Sequence, residues 1–201
     1  IFDDRILNLM DFNCEQKDAV HFFYTLPFSK NKALIETTWF SNLENESYMN
    51  YDLQLENYIK NNLGIKDYKI NFIEKGAIPL FYPETRIKDK INIGSAGGMT
   101  RLSTGYTFLN IQEHSKYIRE NLDNITDLKP YHIGKKYELL DNIFLNVLKN
   151  NPEKMPIIFY KMFETSAESV IKFLSNKSNF FEDITIILKM PKWIFIKALF
   201  K

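Results

Sequence analysis

The chain has 201 residues, of which 45% are hydrophobic, and its 26 basic and 25 acidic side chains leave a formal net charge of +1. This composition predicts a folded core and excludes a largely disordered chain. The balanced charge gives no reason to expect a nucleic acid partner. A single cysteine, Cys14, excludes a disulfide within the chain and fits a reducing cytoplasm. The three histidines lie far apart without ligand spacing, so we expect no metal site.

The first forty residues have the pattern of β-strands. Apolar side chains predict a buried strand over residues 6–12. Two further β-rich runs, 19–28 and 32–41, are joined by a short polar stretch, residues 29–32, which predicts a hairpin. Pro27 falls near the end of its run, where a missing N–H disturbs the ladder least.

A change to helical spacing follows. Apolar residues predict a helix over residues 48–63, with Gly64 as its C-cap. Alternating apolar residues over 68–72 then predict a half-buried strand. Charged residues at 88–90 predict a turn before the next strand.

Four of the chain's seven glycines lie between Gly94 and Gly105. They follow the apolar end of a strand at residues 91–93, and a helix is predicted over residues 104–122. A strand, a glycine-rich turn and a helix N-terminus suit a bound phosphate or a large cofactor, because backbone N–H groups can approach the ligand closely. A tight turn that only packs a helix on a sheet has the same pattern, so these residues leave both interpretations open.

The rest of the chain is predicted to be helical after a linker over residues 123–130. Helical patterns cover residues 137–148, 158–163 and 183–190. Thr165 and Glu168 have capping-box spacing at the start of another helix. The tail after Pro191 mixes large apolar residues with lysines, which is typical either of a membrane-interface helix or of a final helix docked on the core.

Five short stretches stand out by their order and spacing. They are Ile6-Leu-Asn-Leu-Met-Asp11, Phe22-Phe-Tyr-Thr-Leu-Pro-Phe-Ser29, Ala33-Leu-Ile-Glu-Thr-Thr38, Gly76-Ala-Ile-Pro79 and Gly94-Ser-Ala-Gly-Gly-Met-Thr-Arg-Leu-Ser-Thr-Gly-Tyr106. Their succession over nearly the whole chain resembles the FAD-dependent lycopene β-cyclase family of bacterial type. In that family, an aromatic strand ending in Leu-Pro leads to a second strand that carries an acidic residue before a Thr.

The resemblance implies an α/β fold, present here as an α+β fragment. The expected architecture is an FAD/NAD(P)-binding flavoprotein fold that lacks its N-terminal dinucleotide motif, with an antiparallel substrate sheet and C-terminal helices. Residues 1–90 would form the substrate-binding sheet region, 91–125 the C-terminal part of the FAD-binding domain, and 126–201 a helical C-terminal region. The chain starts at Ile1 without a Gly-x-Gly-x-x-Gly motif. We therefore interpret it as the C-terminal half of the family's protein and expect it to be inactive alone.

The implied activity is the proton-driven cyclisation of lycopene ends to β-ionone rings, which gives γ- and then β-carotene in carotenoid biosynthesis. There is no net redox change, although reduced FAD is required and NAD(P)H serves as the electron source. Glu36 matches the family's acidic strand position and is the expected catalytic acid, since a carboxyl group in an apolar pocket keeps its proton near neutral pH. Without the resemblance, a solvent-facing strand glutamate is the preferred interpretation. Aromatic rings can stabilise a carbocation, and the candidates are Phe23, Tyr24 and Trp39, although packing in the core explains these residues equally well.

The resemblance also implies the residues that contact the flavin. They are Gly94, Ser95, Ala96, Gly97, Gly98, Thr104 and Gly105. Related flavoproteins often have Asp where this chain has Ser95, and a neutral serine is the weaker hydrogen-bond partner for the ribityl chain.

Because lycopene is insoluble in water, the enzyme is expected to act as a peripheral protein on the cytoplasmic side of the cell membrane, with the tail after Pro191 as its anchor. Two other functions remain open. One is a related flavoprotein, an isoprenoid reductase or an aromatic monooxygenase. The other is a non-catalytic, truncated fragment that binds lipid.

Overall fold

The computed structural model describes residues 2–17, 19–41, 50–83, 86–87, 90–127, 129 and 131–200. They form a mixed α/β chain with a small antiparallel sheet and many helices. The chain divides into two compact units, Ile1–Lys75 with Pro152–Pro156, and Gly76–Asn151 with Ile157–Lys201. The predicted division at residues 90 and 125 stays a prediction.

The first unit contains a three-stranded antiparallel sheet. Its strands are β1 (Asn8–Asp11), β2 (Val20–Ser29) and β3 (Lys32–Phe40), in the order β1-β2-β3. The predicted hairpin is confirmed: Ser29 pairs with Lys32, so that only two residues form the turn. The register shifts between Pro27 and Ser29, which makes a bulge beside the proline.

The first strand is shorter and more exposed than predicted. Met10 is buried, whereas Ile6, Leu7 and Leu9 are exposed. β1 is an edge strand with an irregular register against β2. Its apolar residues therefore do not share one buried face, and the prediction of a buried strand over residues 6–12 is wrong in this respect.

The predicted helix after the sheet is confirmed over the described residues. Helix α1 (Tyr51–Asn57) begins at Asn50, whose side chain accepts the N–H of Leu53, and it continues as a π-helix over Tyr58–Asn62. Gly64 has a φ of +67° and ends the helix as predicted. The predicted start at residues 48–49 lies outside the described residues.

The predicted strand over residues 68–72 is wrong. The described residues from 66 to 83 are not paired with any strand in the described part of the chain, and residues 66–78 are all exposed. Alternation marks the two faces of an extended segment, but a strand forms only where a neighbouring strand accepts its backbone hydrogen bonds.

The second unit begins with a short antiparallel pair, β4 (Arg86–Ile87) and β5 (Lys90–Ile91). The charged turn predicted at residues 88–90 falls mainly on residues 88–89, outside the described residues. A 3₁₀ turn, Gly94–Gly97, follows, and helix α2 covers Phe108–Glu120. α2 starts four residues later than predicted, because the backbone around Thr104 is held in a separate turn.

Five α-helices lie in the described residues from 131 to 200. They are α3 (Lys135–Asn150), α4 (Met155–Phe163), α5 (Ala167–Leu174), α6 (Phe180–Lys189) and α7 (Lys192–Leu199). The predicted linker includes a 3₁₀ segment over Leu122–Asp127. α5 is capped by Ser166 and not by Thr165, while the capping box of this region is formed at α6 by Asn179 and Glu182.

Candidate functional site

Glu36 lies in the middle of β3, directly opposite Tyr24 of β2. Directly opposed residues of an antiparallel pair point to the same face of the sheet, so Tyr24 and Glu36 are neighbours on one face. Glu36 is exposed, and its carboxylate accepts the hydroxyl hydrogen of Thr38 at 2.7 Å. The apolar pocket expected around this carboxyl group is therefore not formed by the described residues alone.

The face that carries Glu36 is aromatic at its buried end. The ring of Phe22 lies 5.2 Å from that of Tyr24 and 5.5 Å from that of Phe40. Burial, and then the charge of Glu36, raise the pKa of Tyr24 to about 12. The phenol therefore stays protonated at neutral pH beside the carboxylate.

The opposite face of the sheet packs against α1. There the ring of His21 stacks on Trp39 at 3.9 Å, and the ring of Phe23 stacks on Tyr58 at 4.0 Å. Trp39 donates its indole hydrogen to Gln54 of α1 at 3.0 Å. Of the three aromatic candidates, only Tyr24 therefore shares a face with Glu36. Phe23 and Trp39 belong to the packing of the helix on the sheet.

A cavity of about 350 Å³ opens on this helix-covered face. Its lining includes His21, Trp39, Gln54 and Cys14. Burial, and then the negative charge of Asp11, raise the pKa of the Cys14 thiol to about 12, so it is not a thiolate nucleophile. Glu36 is not among the residues that line this cavity.

The glycine-rich segment makes two successive turns. The first is the 3₁₀ turn Gly94–Gly97, which holds four of the predicted flavin-contacting residues. In the second, the carbonyl of Arg101 accepts the N–H groups of Thr104 and Gly105 at 3.2 and 2.7 Å, and its own N–H donates to Tyr106 at 2.8 Å. The seven residues predicted to contact the flavin therefore lie in or beside these two turns of the second unit.

Gly105 and Gly97 show two different reasons why this geometry requires glycine. Gly105 has a φ of +73°, which disfavours any side chain, although the space beside it is open. A Cβ on Gly97 would lie 2.6 Å from the carbonyl oxygen of Asn92 and 3.1 Å from His114 Cε1. Gly97 therefore serves the close packing of the turn against its own unit.

The segment fits a phosphate-bearing cofactor in two respects. The N-cap residue of α2, Thr107, makes no side-chain capping hydrogen bond, so the helix N-terminus keeps donors for an anion. The hydroxyl of Ser103 is buried and has no hydrogen-bond partner in the described part of the chain. The residues present therefore fit the group that the glycine pattern suggests.

Arg101 of the second turn forms a buried ion pair with Asp141 of α3. The two side chains are 0% and 1% exposed. The guanidinium donates from Nη2 to Asp141 Oδ1 at 2.7 Å and from Nε to both carboxylate oxygens at 3.0–3.1 Å. Asp141 also accepts the backbone N–H of Leu102 at 3.0 Å.

Arg101 and Asp141 are not among the functional residues predicted from the sequence, although signals for both are present in it. Arg101 is the only charged residue between Ile91 and Gln112. Asp141 stands among Tyr137, Phe144 and Val147 on the buried stripe of α3. A charge inside an apolar stripe indicates a buried partner, but the pattern does not say which residue that partner is.

Among the described residues, no group of three or more His, Cys, Asp or Glu side chains is arranged to hold a metal ion. No helix in the described ranges combines the length and the apolar composition needed to cross a bilayer.

An aromatic antiparallel sheet with a strand carboxylate, together with a glycine-rich turn before a helix, defines a mixed α/β protein with a candidate acid and a candidate cofactor segment. Residues 1–199 match the family model described as lycopene cyclase protein. The chain therefore belongs to the lycopene cyclase family, which confirms the resemblance and supports a carotenoid as its substrate and a general function in carotenoid cyclisation. No curated protein and no solved structure gives a significant match.

Proposed function

We propose that the chain belongs to a lycopene β-cyclase in which Glu36 donates the proton that starts ring closure. Family membership supports carotenoid cyclisation in general. The observation that carries the residue assignment is the position of Glu36, an accessible carboxylate on the sheet face that also holds the protonated phenol of Tyr24.

The reaction requires a proton to be added and a proton to be removed. Glu36 would donate a proton to the terminal double bond of lycopene, which leaves a carbocation. A neighbouring double bond of the same end group would attack this cation and close the ring. Loss of a proton from the ring would form the β-ionone double bond, so that no electrons are gained or lost.

The substrate itself would complete the apolar surroundings of Glu36. Leu34 is exposed on the same face of the sheet, two residues from Glu36. A polyene lying over this face would remove water from the carboxyl group, and desolvation favours its protonated, proton-donating form. The ring of Tyr24 would then stand beside the cation, which its π-electrons can stabilise.

The cofactor of this reaction would be FAD, held through the glycine-rich segment. Gly94, Ser95, Ala96, Gly97 and Gly98 of the first turn, with Thr104 and Gly105 of the second, are the residues that would hold it. The uncapped N-terminus of α2 supports an anionic group at this segment. When bound in its reduced form, FAD would supply negative charge or a proton for the reaction, with NAD(P)H as the electron source.

The test is the Glu36→Gln variant of the full-length protein, assayed with reduced FAD on lycopene in liposomes. Because Gln cannot donate the proton, we expect formation of γ- and β-carotene to fall on the order of a hundredfold or more, with unchanged flavin content. Glu15→Gln is the matched control, since Glu15 is exposed and lines the cavity on the other face. Undiminished product from Glu36→Gln rejects the assignment. NADPH consumed in proportion to product would instead favour a reductase or monooxygenase.

The enzyme would take its insoluble substrate from the cytoplasmic side of the cell membrane. α7 supports this, because it is packed on α3 by one side and exposes an apolar side. Asn146 of α3 donates to the carbonyl of Ala198 at 2.9 Å, while Trp193 and Phe200 are 77% and 85% exposed. Aromatic residues flanked by lysines suit the bilayer interface. Liposome co-sedimentation measures this association.

A further inference from the structure

Arg101 connects the second glycine turn to the C-terminal helices. The backbone of Arg101 closes the turn, since its carbonyl accepts two N–H groups and its N–H donates to Tyr106. The side chain of the same residue enters the helical region and is fully buried there. Arg101 therefore connects the conformation of the turn directly to the packing of α3 and α5.

The Arg101 side chain makes aromatic contacts and hydrogen bonds. Its Cζ lies 4.8 Å from the ring centroid of Tyr137 and 4.7 Å from that of Phe173, and these two rings meet each other edge to face at 6.3 Å. One edge of the guanidinium donates to Asp141, and Nη1 donates to the carbonyl of Phe173. A buried guanidinium that donates from Nε, Nη1 and Nη2 and also packs against two aromatic rings has little freedom to move.

Asp141 extends this anchoring to the next residue of the turn. Its Oδ2 accepts the N–H of Leu102 at 3.0 Å as well as the Arg101 Nε hydrogen. The carboxylate therefore binds both the side chain and the backbone of the turn. Loss of the charge on Asp141 would weaken both contacts at once and leave Arg101 buried without its counter-ion.

We propose that Arg101 and Asp141 are positioning residues, which hold the Arg101–Tyr106 turn in the geometry that the cofactor segment needs. The C-terminal helices thereby become part of the cofactor site without touching the cofactor. As far as it concerns FAD, this inference rests on the proposed function. The rigidity of the turn itself does not depend on that function and can be measured separately.

The first experiment is residue-resolved amide hydrogen exchange on the full-length protein and its Asp141→Asn variant. We expect the Thr104 and Gly105 amides to exchange at least about tenfold faster, relative to the Ile111 amide of α2, because their acceptor on Arg101 is no longer fixed. Ile111 donates to Thr107 within the helix and reports the stability of the unit. An equal change at all three amides would show a purely structural role and would overturn the proposal.

Asp183→Asn is the matched control. Asp183 is also buried and bonds a cation of α3, Lys136, at 2.7 Å, but it has no contact with the glycine-rich segment. We expect this variant to lower stability without selective exchange at Gly105. If Asp183→Asn loosens Gly105 as much as Asp141→Asn does, the proposed connection is wrong.

A double variant, Arg101→Met with Asp141→Leu, separates positioning from stability. It removes both partners of the Arg101–Asp141 ion pair and leaves neither charge buried alone, so it is expected to fold, while Leu102 loses its acceptor. Fast exchange at Gly105 in this folded variant supports the proposal, and slow exchange as in the unmodified protein overturns it.

FAD titration, followed by the visible absorbance and fluorescence of the flavin, tests the link to the cofactor. We expect at least about tenfold weaker binding in Asp141→Asn than in Asp183→Asn, because only the former releases the turn. Equal affinities would overturn the positioning role. If the unmodified protein binds no FAD, the proposed cofactor is wrong, while the exchange results still decide whether Arg101 and Asp141 fix the turn.

Discussion

Two histidines are among the most buried polar residues of the described chain. His21 donates from Nδ1 to the carbonyl of Glu15 at 2.9 Å, and its Nε2 lies 2.8 Å from Thr37 Oγ1. His114 of α2 lies against Gly97, where a Cβ would meet its ring. Burial lowers the pKa of both rings, and the positive charge of Lys17 adds to the lowering at His21. Both are therefore neutral in the folded chain at pH 7.

Because both histidines are neutral in the folded chain, we expect the free energy of unfolding to fall as the pH drops below neutral. The unfolded chain binds protons on both rings as the pH drops below about 6.5, whereas the folded chain binds them only at lower pH. The stabilisation is thus fully present above the unfolded pKa and is lost as the pH falls from the unfolded pKa to the lowered pKa of the folded chain. We expect the free energy of unfolding, measured with urea, to decrease between pH 7.5 and about 5.5.

Substituting each histidine separately tests whether these two residues cause the pH dependence. His21→Gln and His114→Gln are each expected to reduce the slope of stability against pH, whatever they do to stability at pH 7.5. The unmodified protein, measured over the same pH range, gives the reference slope. A slope that survives both buried substitutions would contradict the prediction.

At the scale of elements, one bulge decides which face of the sheet carries Glu36. The two-residue turn alone would place Glu36 opposite Thr25, on the face that packs against α1. The register shift between Pro27 and Ser29 moves Glu36 opposite Tyr24 instead. Because side chains alternate with a period of two, a shift of one residue exchanges the faces. The hairpin could be predicted from sequence, but the face of its glutamate could not.

A second prediction at this scale is that the 3₁₀ turn Gly94–Gly97 requires a glycine at position 97. We expect Gly97→Ala to lower the free energy of unfolding by about 1–3 kcal/mol, since the new Cβ would meet a backbone oxygen that cannot move alone. Gly76→Ala is the control, because nothing lies within 4 Å of its added Cβ and its φ is not in the left-handed region. Urea denaturation followed by circular dichroism measures both. Equal stabilities would mean that the turn tolerates a side chain at Gly97.

Across the whole chain, helices and the hairpin could be predicted from the sequence better than the contacts between residues far apart in it. The β2–β3 hairpin, α1 and α3 follow from local periodicity, because one buried face repeats every two or every three to four residues. The strand over residues 68–72 failed because its alternation does not reveal whether a neighbouring strand is present. Arg101 and Asp141 went unnoticed as a pair because they are 40 residues apart and their contact is purely tertiary. The roles of Glu36 and of the glycine segment stay predictions.

The last prediction concerns the whole molecule at a membrane. The exposed side of α7 carries Trp193, Ile196 and Phe200, with Lys192 and Lys197 beside them. We expect Trp193→Ser with Phe200→Ser to reduce co-sedimentation with vesicles of phosphatidylcholine and phosphatidylglycerol by about tenfold or more, since two large apolar groups leave the interface. Binding should also weaken in vesicles without the anionic lipid, because the lysines lose their partners. Leu122→Ser, at another exposed apolar residue, is the control. Unchanged binding of the double variant would exclude α7 as the membrane contact.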